Sequence, residues 1–433
     1  MIQPSCSYRP MIAALTALLL LMPQLATADQ TVVMDSQLLQ QMQETVRKQQ
    51  ELLQQQSEQL KLQSESLNAL QQKINAMHQK AVTPDFSAVS PQTINPGSGR
   101  IRLSVSGQID RALNIINDGG PTKLYHIDNN ASNSRFRLVG NASINGDMTL
   151  GTRIELAVSP DNSGRVSQKN PAPADFFRIR WAEVSLLSRT FGKLSLGKGN
   201  TASKDTATQD LSRTDLVQYA SISAVAGGMF FRNAGASHIL TSIRVADAFR
   251  GRDGLGRDSR LRYDSPQLSG FTLAGSISTK QCSDLAVFWG GEGYGLKAAG
   301  AAAVANPRIS GSGLLYDGSF SLLHTASGLN LTVSSALQKR TIKKDATNFY
   351  AKLGWIAGFT DMGATAFGLD YTISGNMPSS DDRGYSIGAA VVQSFERYAT
   401  EVYLQYRNYS LKRANGIPLE DMQVSTIGVR IKF

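Results

Sequence analysis

Long apolar runs are absent from the sequence after residue 28. A transmembrane helix needs about 20 consecutive apolar residues, and no such stretch follows this point. Cysteine is nearly absent as well, since Cys282 is the single cysteine after residue 28 and has no partner for an internal disulfide. Exported soluble proteins of this size often contain disulfides. These absences exclude membrane-spanning helices and leave open a β-barrel, whose strands carry a much weaker apolar signal.

Residues 1–28 have the pattern of a cleaved secretory signal peptide. Arg9 precedes an apolar run of twelve residues, Met11–Met22, and the segment ends in an A-x-A cleavage site at residues 26–28. The run is too short to span a bilayer as a helix. Cys6 lies before the run and not at the cleavage site, where a lipid anchor would need it. We therefore expect the mature protein to be exported and unlipidated.

The charge of the chain is basic and unevenly distributed. Lys and Arg number 44 against 34 Asp and Glu, which gives a formal net charge of +10. Residues 29–80 contain six acidic and five basic residues, so the positive surplus lies in residues 81–433. Such a surplus is typical of chains that bind nucleic acid, anionic lipid or anionic solutes. Nucleic acid is not an expected partner of an exported protein. Whether the basic side chains point outward or inward therefore distinguishes binding of anionic lipid from binding of anionic solutes.

Residues 29–80 carry a heptad repeat that predicts a periplasmic coiled coil. One column recurs every seven residues at Leu39, Val46, Leu53, Leu60, Leu67 and Ile74. The second column follows three places later at Met42, Gln49, Gln56, Gln63, Leu70 and Met77. A strictly apolar column over six heptads is typical of a coiled coil, and the glutamines place polar layers that fix its register. Since the chain offers no second such helix, we expect self-association, with three strands favoured. The alternative is a single solvated helix or a disordered tether.

Residues 81–99 are rich in proline and glycine and are predicted to be a linker. From residue 100 to residue 433 the apolar pattern has a period of two. In the last strand, Ile427, Val429 and Ile431 share one face with Phe433, and Arg430 lies on the other. A soluble domain buries such an apolar face, whereas a membrane barrel turns it to lipid and keeps charges in a wet interior. The fold class predicted for this region is an all-β transmembrane barrel.

Long and short connections alternate along the barrel region. The long ones are Asn117–Asn133, Ser159–Asp175, Asn200–Val225, Asp247–Arg257, Gln281–Ser312, Lys339–Asn348, Gly375–Arg383 and Leu411–Asp421. The short ones are Asn145–Asp147, Ser188–Thr190, Asn233–Ala236, Ser265–Gly270, Ala326–Gly328, Gly358–Asp361 and Ser394–Arg397. Eight loops and seven turns predict sixteen antiparallel strands, an even number, as closure of a bacterial barrel expects. The apolar segments within Gln281–Ser312 would supply two more strands, which gives eighteen as the alternative.

Strand parity places ten arginines on the inner face of the predicted barrel. They are Arg102, Arg135, Arg137, Arg153, Arg178, Arg180, Arg244, Arg260, Arg262 and Arg430. Guanidinium groups bind carboxylates through two parallel hydrogen bonds, and rings of Arg or Lys line anion pores. The pattern therefore indicates a pore for small anions. The alternative is that these arginines only neutralise Asp110, Glu155, Glu183 and acids of the loops.

Three segments carry a resemblance to a known family. F-G-K-L-S-L-G-K-G at Phe191–Gly199 resembles the strand before the long third loop of Gram-negative trimeric porins. Ser259–Leu273 resembles their strand–turn–strand unit, and the terminal Phe433 resembles their barrel-assembly signal. With the heptads in front, the chain is most similar to the DcaP-like porins. The resemblance implies a trimeric outer-membrane channel with sixteen strands, for dicarboxylates and related anions. Sucrose-type sugar porins also have an amino-terminal coiled coil.

The same resemblance implies where the pore narrows and what the protein contacts. The third loop, Asn200–Val225, would fold into the lumen, and its constriction residues would be Lys204, Asp205, Asp210, Arg213 and Asp215. The expected partners are two further copies of the chain in a homotrimer, outer-membrane lipid and lipopolysaccharide, and the barrel-assembly machinery through Phe433. Contact of the coiled coil with peptidoglycan is a further expectation. Nucleic acid is not among the expected partners.

Enzymatic function is not predicted, and neither is a cofactor or a metal. Gly192–Lys198 nearly matches a phosphate-binding loop, but Gly199 replaces the required Ser or Thr and no helix follows. The four histidines have no metal-ligand spacing. Three alternatives to an anion porin stay open. They are a sugar-specific porin, a structural protein that tethers the envelope through its coiled coil, and a hydrolase built on a barrel.

Overall fold

The computed structural model of the chain describes residues 101–174, 177–235 and 238–433, the short strand Gln92–Ile94, and ten helical, exposed residues between Glu44 and Glu65. The predicted signal peptide, both heptad columns and most of the predicted linker lie outside the described residues. Among the helical residues, Arg47 pairs with Glu51 at 3.3 Å in an i,i+4 arrangement. No helix in the described part of the chain is long and apolar enough to cross a membrane.

The described part of the chain contains twenty strands, and sixteen of them form a closed antiparallel barrel. Four strands are short: β1 (Gln92–Ile94), β3 (Lys123–Asp128), β8 (Phe230–Arg232) and β9 (Leu240–Arg244). The barrel strands are β2 (Ile101–Asn117), β4 (Arg135–Ser143), β5 (Met148–Val158), β6 (Phe177–Ser188), β7 (Gly192–Asn200), β10 (Arg257–Asp264), β11 (Phe271–Ser278), β12 (Ser283–Gly293), β13 (Leu296–Asn306), β14 (Ser312–His324), β15 (Leu329–Arg340), β16 (Ala346–Thr360), β17 (Gly363–Gly375), β18 (Arg383–Phe395), β19 (Thr400–Lys412) and β20 (Met422–Lys432). A four-residue helix, Val245–Ala248, and short 3₁₀ turns at Thr206–Thr208, Ile222–Ala224 and Glu396–Tyr398 complete the elements.

Each barrel strand pairs with its neighbour in the chain, β7 pairs with β10, and β20 pairs with β2 to close the ring. The strands β1 and β3 both pair with β2 and lie outside the ring, which accounts for an eighteen-stranded sheet around a sixteen-stranded barrel. Eight connections lie at one end of the barrel and seven at the other. We call these the loop end and the turn end. Long loops of outer-membrane barrels are extracellular and short turns are periplasmic.

The faces of the strands are inverted relative to a soluble protein. In β16, Phe349, Leu353 and Trp355 are exposed, whereas Tyr350 and Lys352, which point into the barrel, are buried. The same alternation holds for the last strand, where the apolar residues predicted to face lipid are exposed. Exposed apolar side chains around a whole barrel need an apolar solvent, since water disfavours such a surface. The predicted membrane barrel is confirmed.

The predicted count of sixteen strands is confirmed, but two of the predicted strands were assigned to the wrong segments. The prediction counted the region on each side of Asn233–Ala236 as two barrel strands, and this region instead forms the separate pair β8 and β9. It treated Gln281–Ser312 as a loop, and this segment instead contains β12 and β13. Asp247–Arg257, predicted as a loop of its own, belongs to the connection between β7 and β10. The two errors cancel in the count.

The failure to predict β12 and β13 has a physical cause. The connection between β7 and β10, residues 201–256, packs against the inside of the wall, and we call it the third connection. On β12 and β13 it covers several apolar inward residues, because Ala202 of this connection packs with Ala286, Phe288 and Ala303. Strands that are apolar on both faces lose the alternation by which barrel strands are recognised.

The seam between the first and last strands depends on a glycine. The backbone of Phe433 exchanges two hydrogen bonds with Gly107, at 2.6 and 3.0 Å. A Cβ atom on Gly107 would lie 2.5 Å from Cζ of the Phe433 ring, which is closer than carbon atoms approach. Gly107 therefore leaves the space that the terminal aromatic ring occupies at the point of closure.

Replacing Gly107 with Val should destabilise the closed barrel by about 1–3 kcal/mol, as overpacking of a filled site does. The fraction of protein that migrates as folded barrel in unheated SDS gels should fall over a temperature series. Gly358→Val is the matched control, because Gly358 also lies on a barrel strand and a Cβ there meets nothing within 4 Å. Equal melting of the two variants would contradict the role of Gly107.

Candidate functional site

The third connection runs along the inner wall of the barrel. Its residues between Ala202 and Val225 form hydrogen bonds with wall side chains of β11, β12, β14, β15, β16, β19 and β2, namely Ser276, Asp284, Asp317, Ser319, Ser321, Thr332, Ser334, Lys352, Gln405, Tyr409 and Asn114. Gln218 also donates to the backbone carbonyls of Gly368 and Gly388, on β17 and β18. The wall from β11 round to β2 is therefore covered, while the inner face of β4, β5 and β6 is not part of this contact.

Lys352 makes the densest contact between the third connection and the wall. Its Nζ has four oxygens within hydrogen-bond distance for its three N–H donors: Asp210 Oδ2 at 2.5 Å, Ser212 Oγ at 2.6 Å, and Thr214 Oγ1 and the Gln218 carbonyl at 2.9 Å each. The Lys352 side chain is fully buried and that of Asp210 is 3% exposed. A buried charge is tolerated when it is paired and its hydrogen bonds are satisfied. Asp210, predicted as a constriction residue, thus holds the connection to the wall.

The root of the third connection holds another ion pair. Lys204 contacts the carboxylates of Asp205 and Asp253. Burial alone would lower the pKa of Lys204, but the two carboxylates outweigh burial and raise that pKa above its ordinary value. Burial raises the pKa of Asp253 despite its contact with Lys204. Of the remaining predicted constriction residues, Arg213 and Asp215 are exposed, and Arg213 lies 3.4 Å from Glu396.

Four arginines converge on one glutamate on the uncovered wall. Arg137 Nε and Arg153 Nη2 lie 2.7 and 2.6 Å from Glu155 Oε2. Arg180 Nε donates to Glu155 Oε1 at 2.6 Å, and Arg135 Nη1 lies 3.9 Å from the same oxygen. Glu155 is fully buried, whereas the four arginine side chains keep 15–36% of their surface. We call these residues the arginine cluster. One carboxylate cannot neutralise four guanidinium groups, so the cluster is a net cation that faces water.

A β-bulge in β6 adds an aromatic ring to this cluster. Trp181 pairs with Glu155 and Ile179 pairs with Leu156, so Arg180 is an extra residue in the ladder. Because of the bulge, Arg180 and Trp181 both point inward. Strict alternation from Arg178 and Arg180, both predicted to face inward, would instead place Trp181 on the lipid face, and that placement is wrong. Arg153 Cζ lies 3.8 Å from the centre of the Trp181 ring, and Arg257 Cζ lies 6.0 Å from it. These distances suit cation–π contact.

The other predicted pore arginines fall into three groups. Arg260, Arg262 and Arg430 lie on barrel strands and pair with acids, respectively Glu183 at 2.5 Å, Asp264 at 2.6 Å and Glu401 at 2.6 Å. Arg102 and Arg178 are exposed at the ends of β2 and β6. Arg244 was predicted to lie on a barrel strand, and that prediction is wrong, because β9 belongs to the third connection. Its guanidinium pairs with Asp247 at 3.0 Å.

The sequence analysis did not single out two charged residues of the candidate site, Lys352 and Arg257. Lys352 lies on the inner face of β16 together with Tyr350 and Gly354. Strand parity alone would therefore have predicted that it points inward. Arg257 begins β10 and does not share the parity of Arg260 and Arg262, so no such signal existed there.

A closed barrel with an apolar exterior, a charged interior and a long connection folded along its inner wall belongs to the class of outer-membrane channels that hold an aqueous pore. The chain belongs to the Gram-negative porin family, whose sequence model matches residues 86–429. A porin of this family resides in the outer membrane.

Solved structures share the fold at low sequence identity. The anion-selective porin from Comamonas acidovorans has a TM-score of 0.54 and 18% identity, covering 77% of this chain and 100% of that one. A loop-deletion variant of the outer-membrane protein OmpT of Vibrio cholerae has a TM-score of 0.51 and 14% identity, covering 77% and 100%. At these identities the likeness shows the fold alone. A search of curated proteins found no match.

Proposed function

We propose that this porin conducts small anionic solutes, dicarboxylates among them, by passive diffusion, and that the arginine cluster sets its selectivity. The observation that carries the proposal is the placement of charge. The third connection covers most of the inner wall, and the part that it leaves uncovered presents four arginines against one glutamate. Neighbouring guanidinium groups hold several donors for the carboxylates of one small di-anion. The same fold forms an anion-selective pore in the porin from Comamonas acidovorans, so the fold is compatible with this selectivity.

We also propose that the third connection narrows the pore and that the protein is a homotrimer. Folding of this connection along the inner wall supports the first part. The heptad repeat of residues 29–80 supports the second, because its apolar seam needs partner helices, which a trimer would supply in the periplasm. Contacts with lipopolysaccharide, with the barrel-assembly machinery through Phe433 and with peptidoglycan stay predictions.

A sugar-specific pore is less well supported. Such a pore needs aromatic side chains along the solute path. Tyr263 and Tyr406 are exposed on the outer face of the barrel. Tyr403 and Tyr409 face inward but are buried, because Tyr403 donates to Asp110 at 2.6 Å and Tyr409 donates to the Ile222 carbonyl at 2.6 Å. These four tyrosines therefore do not line an open path.

The proposal is tested with purified full-length protein in lipid membranes. In planar bilayers under a KCl gradient, the reversal potential should have the sign of an anion-selective pore. In a liposome-swelling assay, succinate should enter faster than a disaccharide at equal osmolarity. A cation-selective reversal potential would overturn the anion pore, and faster entry of the disaccharide would favour the sugar porin. Protein-free liposomes serve as the control for leakage.

A further inference from the structure

A second group of cations surrounds a cavity at the loop end of the barrel. The cavity has a volume of about 780 Å³ and is lined by residues of the third connection, by the ends of β10, β11, β14 and β15, and by the connections that follow β11 and β13. Its basic lining residues are Lys204, Arg250, Arg252, Arg257, Lys280 and Arg340, and its acidic ones are Asp253 and Asp258. We call this cavity the vestibule. Its volume is within the range of small-molecule sites.

Most of these cations have no acidic partner. Lys204 pairs with Asp253, but within the described ranges no salt bridge includes Arg250, Arg252, Arg257, Lys280 or Arg340. Five positive groups against one remaining carboxylate leave the lining strongly cationic. This differs from the arginine cluster, where each guanidinium approaches Glu155.

Two buried donors of the vestibule have no hydrogen-bond partner among the described residues. They are the Nε atoms of Arg252 and Arg257. Arg252 has only the sulfur atom of Met377 within hydrogen-bond distance of its Nη2, at 3.1 Å. Burial, together with the neighbouring guanidinium groups of Arg340 and Arg250, lowers the pKa of Arg252 to about 10. Buried donors without partners cost free energy, and an anion in the cavity would remove that cost.

The vestibule is continuous with the arginine cluster. Arg257 lines the vestibule and also lies over the Trp181 ring, which Arg153 of the cluster contacts. Cationic groups therefore extend from the extracellular mouth to the uncovered wall. Closely spaced cationic sites raise the local concentration of anions and speed their capture.

We infer that the vestibule is a capture site for small multivalent anions that carry two or more carboxylate or phosphate groups. A solute with two anionic groups contacts several of the unpaired cations at once, whereas a monovalent anion contacts fewer. The solute then passes by way of Arg257 to the arginine cluster. This site adds a first step to the proposed anion pathway and rests on it for its role, although its occupancy is measured separately.

Cys282 is a natural reporter of this site, because it lines the vestibule and is partly exposed. We would measure its modification by anionic and cationic methanethiosulfonate reagents in the full-length protein, each rate normalised to that of the denatured protein. The anionic reagent should react about tenfold faster after normalisation, as expected for a site of positive potential. Succinate should slow that reaction, and acetate at matched ionic strength should not.

Variants of the vestibule arginines test whether these residues cause the protection of Cys282 by succinate. Arg250→Ser should weaken protection by succinate severalfold, and Arg250→Ser/Arg252→Ser should abolish it. The single variant changes an exposed loop residue, and heat-modifiability in SDS gels verifies folding of both. Arg383→Ser is the matched control, since Arg383 is exposed at the same end of the barrel and does not line the vestibule, and it should keep full protection.

Each contrary outcome overturns the inference. Equal normalised rates would show that the vestibule is not a positive site, and protection by acetate as strong as that by succinate would remove the preference for multivalent anions. Failure of both reagents to modify Cys282 would show that the cavity is closed to solutes. The reversal potential tests the proposed anion pore independently of the Cys282 measurements, so a failure of the pore and a failure of the vestibule site can be told apart. Cation selectivity with a protected Cys282 overturns the anion pore alone, whereas anion selectivity with an unprotected Cys282 overturns the vestibule site alone.

Discussion

Replacing Arg137, Arg153 and Arg180 together with Gln should lower the anion-to-cation permeability ratio by at least about tenfold, equivalent to about 1.4 kcal/mol. The variant keeps Arg135, at 3.9 Å, as the nearest cation to the buried Glu155 carboxylate. The triple variant removes three of the four positive charges from the uncovered wall, and with them most of the attraction for anions. Reversal potentials in planar bilayers under a KCl gradient measure the change.

A charge-preserving variant separates charge from geometry. Replacement of the same three arginines with Lys keeps three positive charges but removes the planar, two-point donors of guanidinium. We expect the sign of the reversal potential to stay that of an anion-selective pore, while swelling in succinate slows toward that in acetate. An unchanged permeability ratio in the Gln variant would refute the cluster as the selectivity element.

The second large effect is expected at Lys352. Lys352→Met should loosen the third connection, because Asp210 would be left buried without its cation, and breaking one partner of such a pair costs about 3–5 kcal/mol. Single-channel recordings should show a larger mean conductance and frequent transitions between current levels. The barrel itself should persist, since its backbone ladder does not include the Lys352 side chain.

Two further variants make this prediction specific. Asp210→Asn/Lys352→Met removes both charges, so it should restore a steadier current, and the cycle of single and double variants gives the coupling between the two residues. Lys339→Met is the matched control, because Lys339 also pairs with an acid, Asp345 at 2.7 Å, but is half exposed. Surface pairs contribute little. Equal recordings from the Lys339 and Lys352 variants would contradict the anchoring role.

Strand parity predicted which way many barrel side chains point, because side chains alternate strictly where the wall meets lipid on one side and water on the other. Arg135, Arg137 and Arg153 face inward for this reason, and so do the charges of β20. Parity cannot foresee a bulge, since one extra residue moves all following side chains to the other face. Trp181 was misplaced for that reason.

The path of the third connection could not be predicted from the sequence, for a different reason. Its alternating segments at β8 and β9 look like barrel strands, while β12 and β13, which are barrel strands, have small apolar residues on their inner face because protein covers them. The alternation of apolar and polar residues along a strand indicates whether each face meets water or an apolar environment. It does not report whether that medium is lipid or another part of the chain.

The partners of the third connection also imply an order of events during folding. Thr206 bonds to a residue 111 positions later, Asp210 to one 142 positions later, and Val217 to one 188 positions later. The connection therefore cannot dock until the strands that follow it have joined the sheet, and long separations make such contacts slow to form. We therefore expect the barrel strands to join before the third connection docks, and the pore width proposed above would be reached only at that last step.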